Sequence, residues 1–384
     1  MNRKSYIFLA CFMGMLLFGI SAITLGSLAQ PLQDRFNLDA VGTGKLFSVF
    51  PMGVLLGALL FGPVCDRYGY KYMLSIAALA IGLGFEGLAQ LREIPLLYAS
   101  IFLFGFGGGV INGATSGVVN DISAEHKGAN LSILGVFFSV GAVGMPLLLG
   151  LIGDYFSPFQ MVGGIGYLGL FIGLWYLFVP FPGARAAGEP MSLDFSFLMH
   201  PLLIFIALYL FFQSSIEGSI NNWTTTFLTQ RGVMAESEAL FGLSIHMIGM
   251  TIMRVLTGSV FRAVSKVKLL WIGFGLLFLG IFGLQAQGSK LLVWTGLFCA
   301  GGGVALGFPL LLGFIGERFQ QFTATAFSFV FSAALVGNML LNYSMGHIIK
   351  SLGIEYYTVV CVCCAVGMAA AFYRITRELK KPVV

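Results

Sequence analysis

The sequence predicts an all-α integral membrane protein, with twelve transmembrane helices in two pseudo-symmetric six-helix bundles. Three observations carry that prediction. Of 384 residues, 58% are hydrophobic and only 10% charged, with a mean hydropathy of +0.91, whereas a soluble domain carries about 25% charged residues. The surrounding solvent is therefore lipid. Twelve apolar runs follow one another, and 384 residues leave 32 for each helix with its connection; a span needs about 20 residues to cross a core about 30 Å thick. No soluble domain fits in what remains. Finally, segments of the first half recur in the second, as parallel repeats would.

The runs fall in order. The first, 5–30, follows Arg3 and Lys4; it is too long for the apolar region of a signal peptide and lacks a clear small-residue cleavage site, so it is a span. The second covers 39–61, and the turn after it carries Asp66, Arg67 and Lys71. A charge at the bilayer centre costs about 2.5–3.5 kcal/mol, so this turn lies at a membrane face. Gly69 permits its sharp reversal. Next come 72–91, 96–120 with Gly107, Gly108, Gly109 and Val110, 130–152 with a line of glycines, and 161–180. The longest polar connection, Pro182–His200, contains Arg185, Glu189, Pro190 and Asp194, and divides the chain into an N-terminal bundle (1–181), a cytoplasmic linker (182–200) and a C-terminal bundle with a short tail (201–384). The second half runs through 201–228, 239–261, 269–287, 291–316, 323–347 and 354–373.

The repeat shows in three places. Gly107–Val110 recurs as Gly301–Val304, an offset of 194; Ser139, Gly144 and Gly153 match Ser332, Gly337 and Gly346 at 193; Gly62 matches Gly258 at 196. Charge sets the orientation. An even helix count puts both termini on one side, where fourteen Lys and Arg gather against five opposite. Cytoplasmic connections retain basic residues, so both termini are expected in the cytoplasm and the bilayer to be the cytoplasmic (inner) membrane. The net charge of +5 is scattered over these connections and the tail, which excludes a nucleic-acid surface. Six cysteines lie mostly within apolar runs and act as small packing residues, without the spacing of a disulfide frame or zinc site.

The turn Gly62, Pro63, Val64, Cys65, Asp66, Arg67, Tyr68, Gly69, Tyr70, Lys71 reads G-x-x-x-D-R-x-G-x-K. It resembles the signature loop between the second and third helices of the major facilitator superfamily of secondary transporters, with Tyr70 where a basic residue is usual. The resemblance, with the two-fold repeat, covers essentially the whole chain. It implies alternating access, with Gly62, Asp66, Arg67, Gly69, Lys71, Arg254, Glu317 and Arg318 at a cytoplasmic gate whose charge pairs latch the outward-open state. Gly141, Gly144 and Pro146 are similar in part to the fifth-helix motif of facilitator-type antiporters.

The seventh run carries the site expectation. Gln213, Glu217 and Asn221 recur every four residues, so they line one helix face, with Asn222 and Trp223 beside them. Glu217 lies close to mid-span, where an acid is functional by default; the bland reading is a protonated acid bonding a neighbouring helix. Asn112 in the fourth run, His246 in the eighth, and Asn338 and Asn342 in the eleventh lie at comparable depth. Carboxamides donate and accept, which suits a ligand rich in hydroxyls, and Trp223 could cover the apolar face of a sugar ring. Asn112 could equally bridge helices, Trp223 sit in an interfacial belt and His246 serve the core. Arg254 either joins the gate or binds an anionic group. Glu86 and Lys45 lie near outer ends and reach water.

Glu217 through Trp223, and Arg254 followed by Gly258, resemble the fucose permease branch of that superfamily. Proton-coupled members of the branch carry acids in the first and fourth helices; here the first run has no acid and the fourth has Asn112. Proton symport is thus expected only through Glu217, and uniport is the other option. The expected function is transport of a small polar solute, a sugar or sugar derivative, by a monomer whose partners are the solute, the bilayer and protons, without a cofactor. The alternative is an efflux antiporter for amphipathic compounds, suggested by 38 Phe and 16 Met. A receptor on the same fold is a further possibility. Catalysis is not expected: no H-E-x-x-H and no glycine-flanked nucleophilic serine is present.

Overall fold

The computed structural model describes residues 3–123, 127–183, 196–286, 288–319 and 323–380; within these the side chains of Asp66, of residues 127–129, 196–197 and 262–263, and of 323–324 are left aside. Most of the expected 182–200 linker, including Arg185, lies outside the described residues. The described chain is helical, with fourteen α-helices, no strand, and twelve candidate spans. Contacts divide it into two compact units, Met1–Pro190 and Met191–Val384.

Unit 1 contains α1 (Arg3–Ser27), a short α2 (Ala29–Phe36), α3 (Ala40–Tyr68), α4 (Tyr70–Gln90), α5 (Ile94–Ile122), α6 (Lys127–Ile152) and α7 (Pro158–Tyr176). Local chemistry sets the ends. Asp39 caps α3 by accepting the Gly42 amide at 2.8 Å, and Ser157 with Gln160 forms a capping box before α7. The expected turn over 62–71 is shorter than its sequence suggests: α3 continues to Tyr68, and Gly69 alone makes the reversal at φ +80°, a backbone region that favours glycine. Pro63 removes one backbone donor without ending the helix.

Unit 2 contains α8 (Pro201–Gln230), α9 (Glu236–Gly258), α10 (Lys266–Gly283), α11 (Lys290–Val304), α12 (Gly307–Arg318), α13 (Thr323–Leu352) and α14 (Tyr357–Glu378). The tenth span is therefore broken, between Val304 and Gly307. Pro309 has no amide for the Ala305 carbonyl, which weakens the ladder at that turn. The Val304 carbonyl instead accepts the Gln213 side-chain amide at 2.6 Å.

The internal repeat is real, and its register is the offset of 196 read at Gly62 and Gly258, not the 194 and 193 read at the other two places. A side chain on Gly53 (α3) would strike the Phe102 carbonyl of α5, and one on Gly249 (α9) the Phe298 carbonyl of α11. Gly105 likewise faces Phe50, and Gly301 faces His246; Gly107 meets Ala77 and Ile81, and Gly303 meets Gly273 and Leu277. All these pairs are separated by 196 residues. Gly141 on α1 and Gly337 on α8 extend the same spacing to the fifth and eleventh spans. The offsets of 194 and 193 read from sequence slid along glycine-rich stretches, where no side chain marks which glycine makes the contact. Packing by small residues is what a lipid-solvated interface requires, since the hydrophobic effect does not drive helices together there. The halves also differ: α7 packs mainly on α4, whereas α14 packs mainly on α8. Outward, Leu56, Leu59, Phe171, Leu174, Leu279 and Phe282 stay exposed, as lipid-facing residues would.

Candidate functional site

Helix α8 places Gln213, Glu217 and Asn221 on one face, four residues apart, and the surroundings give them different tasks. Gln213 is 1% exposed, its amide donates to Val304 at the α11–α12 break, and its carbonyl oxygen fills the space left by Gly307. It belongs to the packing of that break rather than to an open surface. Glu217 is half-buried, and no hydrogen bond engages its carboxylate among the described residues. Asn221 is half-buried too, with its side-chain oxygen enclosed and unpartnered among the described residues.

Helix α13 completes this corner. Asn342 Nδ2 donates to the side-chain and backbone oxygens of Asn338 at 2.8 and 3.0 Å. Asn342 Oδ1 accepts from Trp223 Nε1 at 3.1 Å and from Asn222 Nδ2 at 3.2 Å. Trp223 and Asn342 are 0% exposed, so the indole offers no free ring face, and the stacking role expected from sequence is replaced by an internal clamp. A side chain on Gly218 would run into the Asn338 carboxamide, which lets α13 lie against α8 here. Beside the clamp, Thr224 Oγ1 and Tyr357 Oη lie 3.0 Å apart, tying α8 to α14.

Helix α9 supplies His246 and Arg254. His246 is fully buried, with Nδ1 3.1 Å from the Leu297 carbonyl. A carbonyl only accepts, so Nδ1 carries the proton and Nε2 is left as an acceptor, buried and without a partner among the described residues. Arg254 is half-buried, and its charge acts on both Glu217 and His246.

In unit 1, Asn112 is exposed on α5. Arg67 lies 5.3 Å from the Tyr68 ring and Lys71 5.9 Å from the Tyr72 ring; the Asp66 side chain is outside the described residues. Gly62 has open space around its Cβ position, as does Gly258. Tyr70, which departs from the family motif, donates its hydroxyl to Asp121 at 2.9 Å, fastening the start of α4 to the end of α5. Sequence reasoning passed over Asp121, although an acid ending an apolar run opposite a basic turn is a signal. In unit 2, Glu317 pairs with Lys266 at 2.6 Å, while Arg318 stands beside it at the end of α12.

Twelve spans in two repeated units, with polar side chains gathered at the depth of mid-span, define a membrane transporter rather than a soluble protein. Residues 8–341 match the family model of the Major Facilitator Superfamily. The chain belongs to that superfamily. It is 25% identical over 308 residues to the 3-(3-hydroxy-phenyl)propionate transporter of Escherichia coli, covering 76% of this chain and 75% of that one. It is 28% identical to the hexuronate transporter of Bacillus subtilis over 58% of this chain and 56% of its relative, and 33% identical to the 4-hydroxybenzoate transporter PcaK of Pseudomonas aeruginosa over 31% of this chain and 27% of PcaK. Among solved structures, a D-xylose–proton symporter superposes with a TM-score of 0.80 at 14% identity over 97% of each chain. The nucleoside transporter NupG gives 0.76 at 14% identity over 100% of both chains.

Proposed function

We propose that this transporter moves a small hydroxyl-rich solute, a sugar or sugar derivative, across the cytoplasmic membrane by alternating access, with both termini in the cytoplasm. The observation that carries the reading is the pairing of a half-buried, unengaged Glu217 carboxylate with the unpartnered Asn221 oxygen one turn further along α8. Groups desolvated this far are costly unless a ligand or proton satisfies them. Glu217, Asn221 and Asn338 are the proposed solute contacts in unit 2, with Asn112 in unit 1; His246, expected from sequence to join them, is sealed in the packing of α9 on α11. Gln213, Trp223 and Asn342 hold these groups in place. Gly69, Lys71, Arg67, Asp66, Arg254, Glu317 and Arg318 govern conformation.

A second reading is favoured by Arg254, whose charge acts on Glu217 and His246: the solute bears a carboxylate. Relatives named for a hexuronate and for hydroxylated aromatic acids support it, and a sugar acid satisfies both readings. Proton coupling is assigned to Glu217. In proteoliposomes, Glu217→Gln should lose pH-driven accumulation while retaining solute counterflow; unchanged accumulation removes the proton role. Assays with sugars, sugar acids and lipophilic cations separate uptake from the efflux alternative.

A further inference from the structure

The tenth span of unit 2 is two helices, and one side chain bridges the joint between them. Gln213 Nε2 donates to the carbonyl of Val304, the last residue of α11, at 2.6 Å. Its Oε1 lies against Gly307, the first residue of α12, where a Cβ would overlap it. That oxygen is buried and accepts no hydrogen bond among the described residues. The start of α12 has the matching deficit, since Leu306 at its N-cap makes no side-chain cap and the first amides of a helix lack intrahelical acceptors. A carboxamide both donates and accepts, so it can serve the end of one helix and the start of the next. Only the first of those bonds is made.

Helix α12 is also lightly held. Whereas α11 packs closely on α9 and α10, α12 touches α8, α10 and α13 only sparsely. Two fasteners engage it: Phe308 stacks on Phe331 of α13 with 5.5 Å between ring centroids, and Lys266 of α10 pairs with Glu317 at 2.6 Å and lies 4.8 Å from the Phe314 ring. Both side chains of that ion pair meet solvent, and such pairs hold weakly. A buried acceptor without a donor is destabilising. Turning α12 until an amide of its first turn meets Gln213 Oε1 removes that cost; Gly307 and Phe308 carry such amides and Pro309 does not.

We infer that Gln213 is a positioning residue for transport, coupling α8 to a swing of α12 about Ala305 and Leu306. Its Nε2 holds Val304 throughout, and its Oε1 caps α12 in the swung state alone. Given the solute contacts proposed for α8, on which this inference rests, a solute engaging Glu217 and Asn221 fixes the helix face that also carries Gln213. Occupancy and the position of α12 are then set together.

The test uses the purified full-length protein with genetically encoded spin labels, which spare the native cysteines, at Gly316 on α12 and Lys268 on α10. A side chain at Gly316 meets open space, and Lys268 is exposed. Two separations between the labels are expected. Gln213→Met, which keeps the length and removes the carboxamide, should change their ratio about tenfold, the scale of one hydrogen bond. Gly307→Ala, whose methyl evicts the oxygen, should do the same, and the two together no more than either alone, because both remove one contact. In counterflow of D-glucuronate and D-glucose, Gln213→Met should lower the maximal rate about tenfold at an unchanged KM, a split that loss of a merely structural bond does not give. A single separation common to all variants, additive effects of the two substitutions, or a lowered melting temperature with rate and KM intact overturns the inference. The label distances need no solute, so failure of both sugars to exchange counts against the solute reading and not against the swing of α12.

Discussion

Glu217 and Trp223 sit six residues apart on one helix, yet the structure gives them opposite characters. The carboxylate is half-buried and unengaged; the indole is sealed and spent on Asn342. Replacing Trp223 with Phe should therefore lower stability by about 1 kcal/mol, the worth of one buried hydrogen bond, and leave the KM for solute nearly unchanged. A thermal melt paired with transport kinetics checks this; a raised KM with an unchanged melting temperature would restore the indole to the solute site. Tyr70→Phe removes the hydroxyl bond to Asp121 and should slow transport while leaving solute affinity alone, measured by binding and counterflow side by side. At this scale the sequence disclosed which residues were polar at depth, but not which had partners. Gln213 and Asn221 look alike as members of one stripe, and only the Val304 carbonyl exposed by the α11–α12 break separates them.

Among the helices, the governing feature is backbone approach at glycines that recur every 196 residues. Gly53 and Gly249 make equivalent contacts on Phe102 and Phe298, so valine at either should destabilise its own unit by about 1–3 kcal/mol through overpacking. Comparable losses of melting temperature in the two variants are expected; a loss at one and tolerance at the other would deny the equivalence. Helix number and length were legible, because runs of about 20 apolar residues have few other uses. Two element-level features were not. The signature turn contracted to Gly69, because charged residues ending a helix look the same as charged residues in a loop. The break of the tenth span was hidden because proline within a membrane helix is commonly tolerated, and here Gln213 binds the Val304 carbonyl beside the break.

For the whole molecule, composition, span count and the signature turn together were enough to identify the superfamily, while the solute is a matter of a few side chains in a fold shared by transporters of very different substrates. Orientation rests on the sorting of Lys and Arg between the two faces; single cysteines near Lys4 and Lys380 should be protected from an impermeant thiol reagent in intact cells and labelled after lysis. The most direct test of the central claim is counterflow in proteoliposomes across a panel of sugars and sugar acids, run on the natural protein and on Glu217→Gln together with pH-driven accumulation. The account predicts exchange of at least one hydroxyl-rich solute, with the substitution impairing either its KM or its accumulation. A protein that exchanges none of them, or a Glu217→Gln variant indistinguishable on both measures, would contradict it.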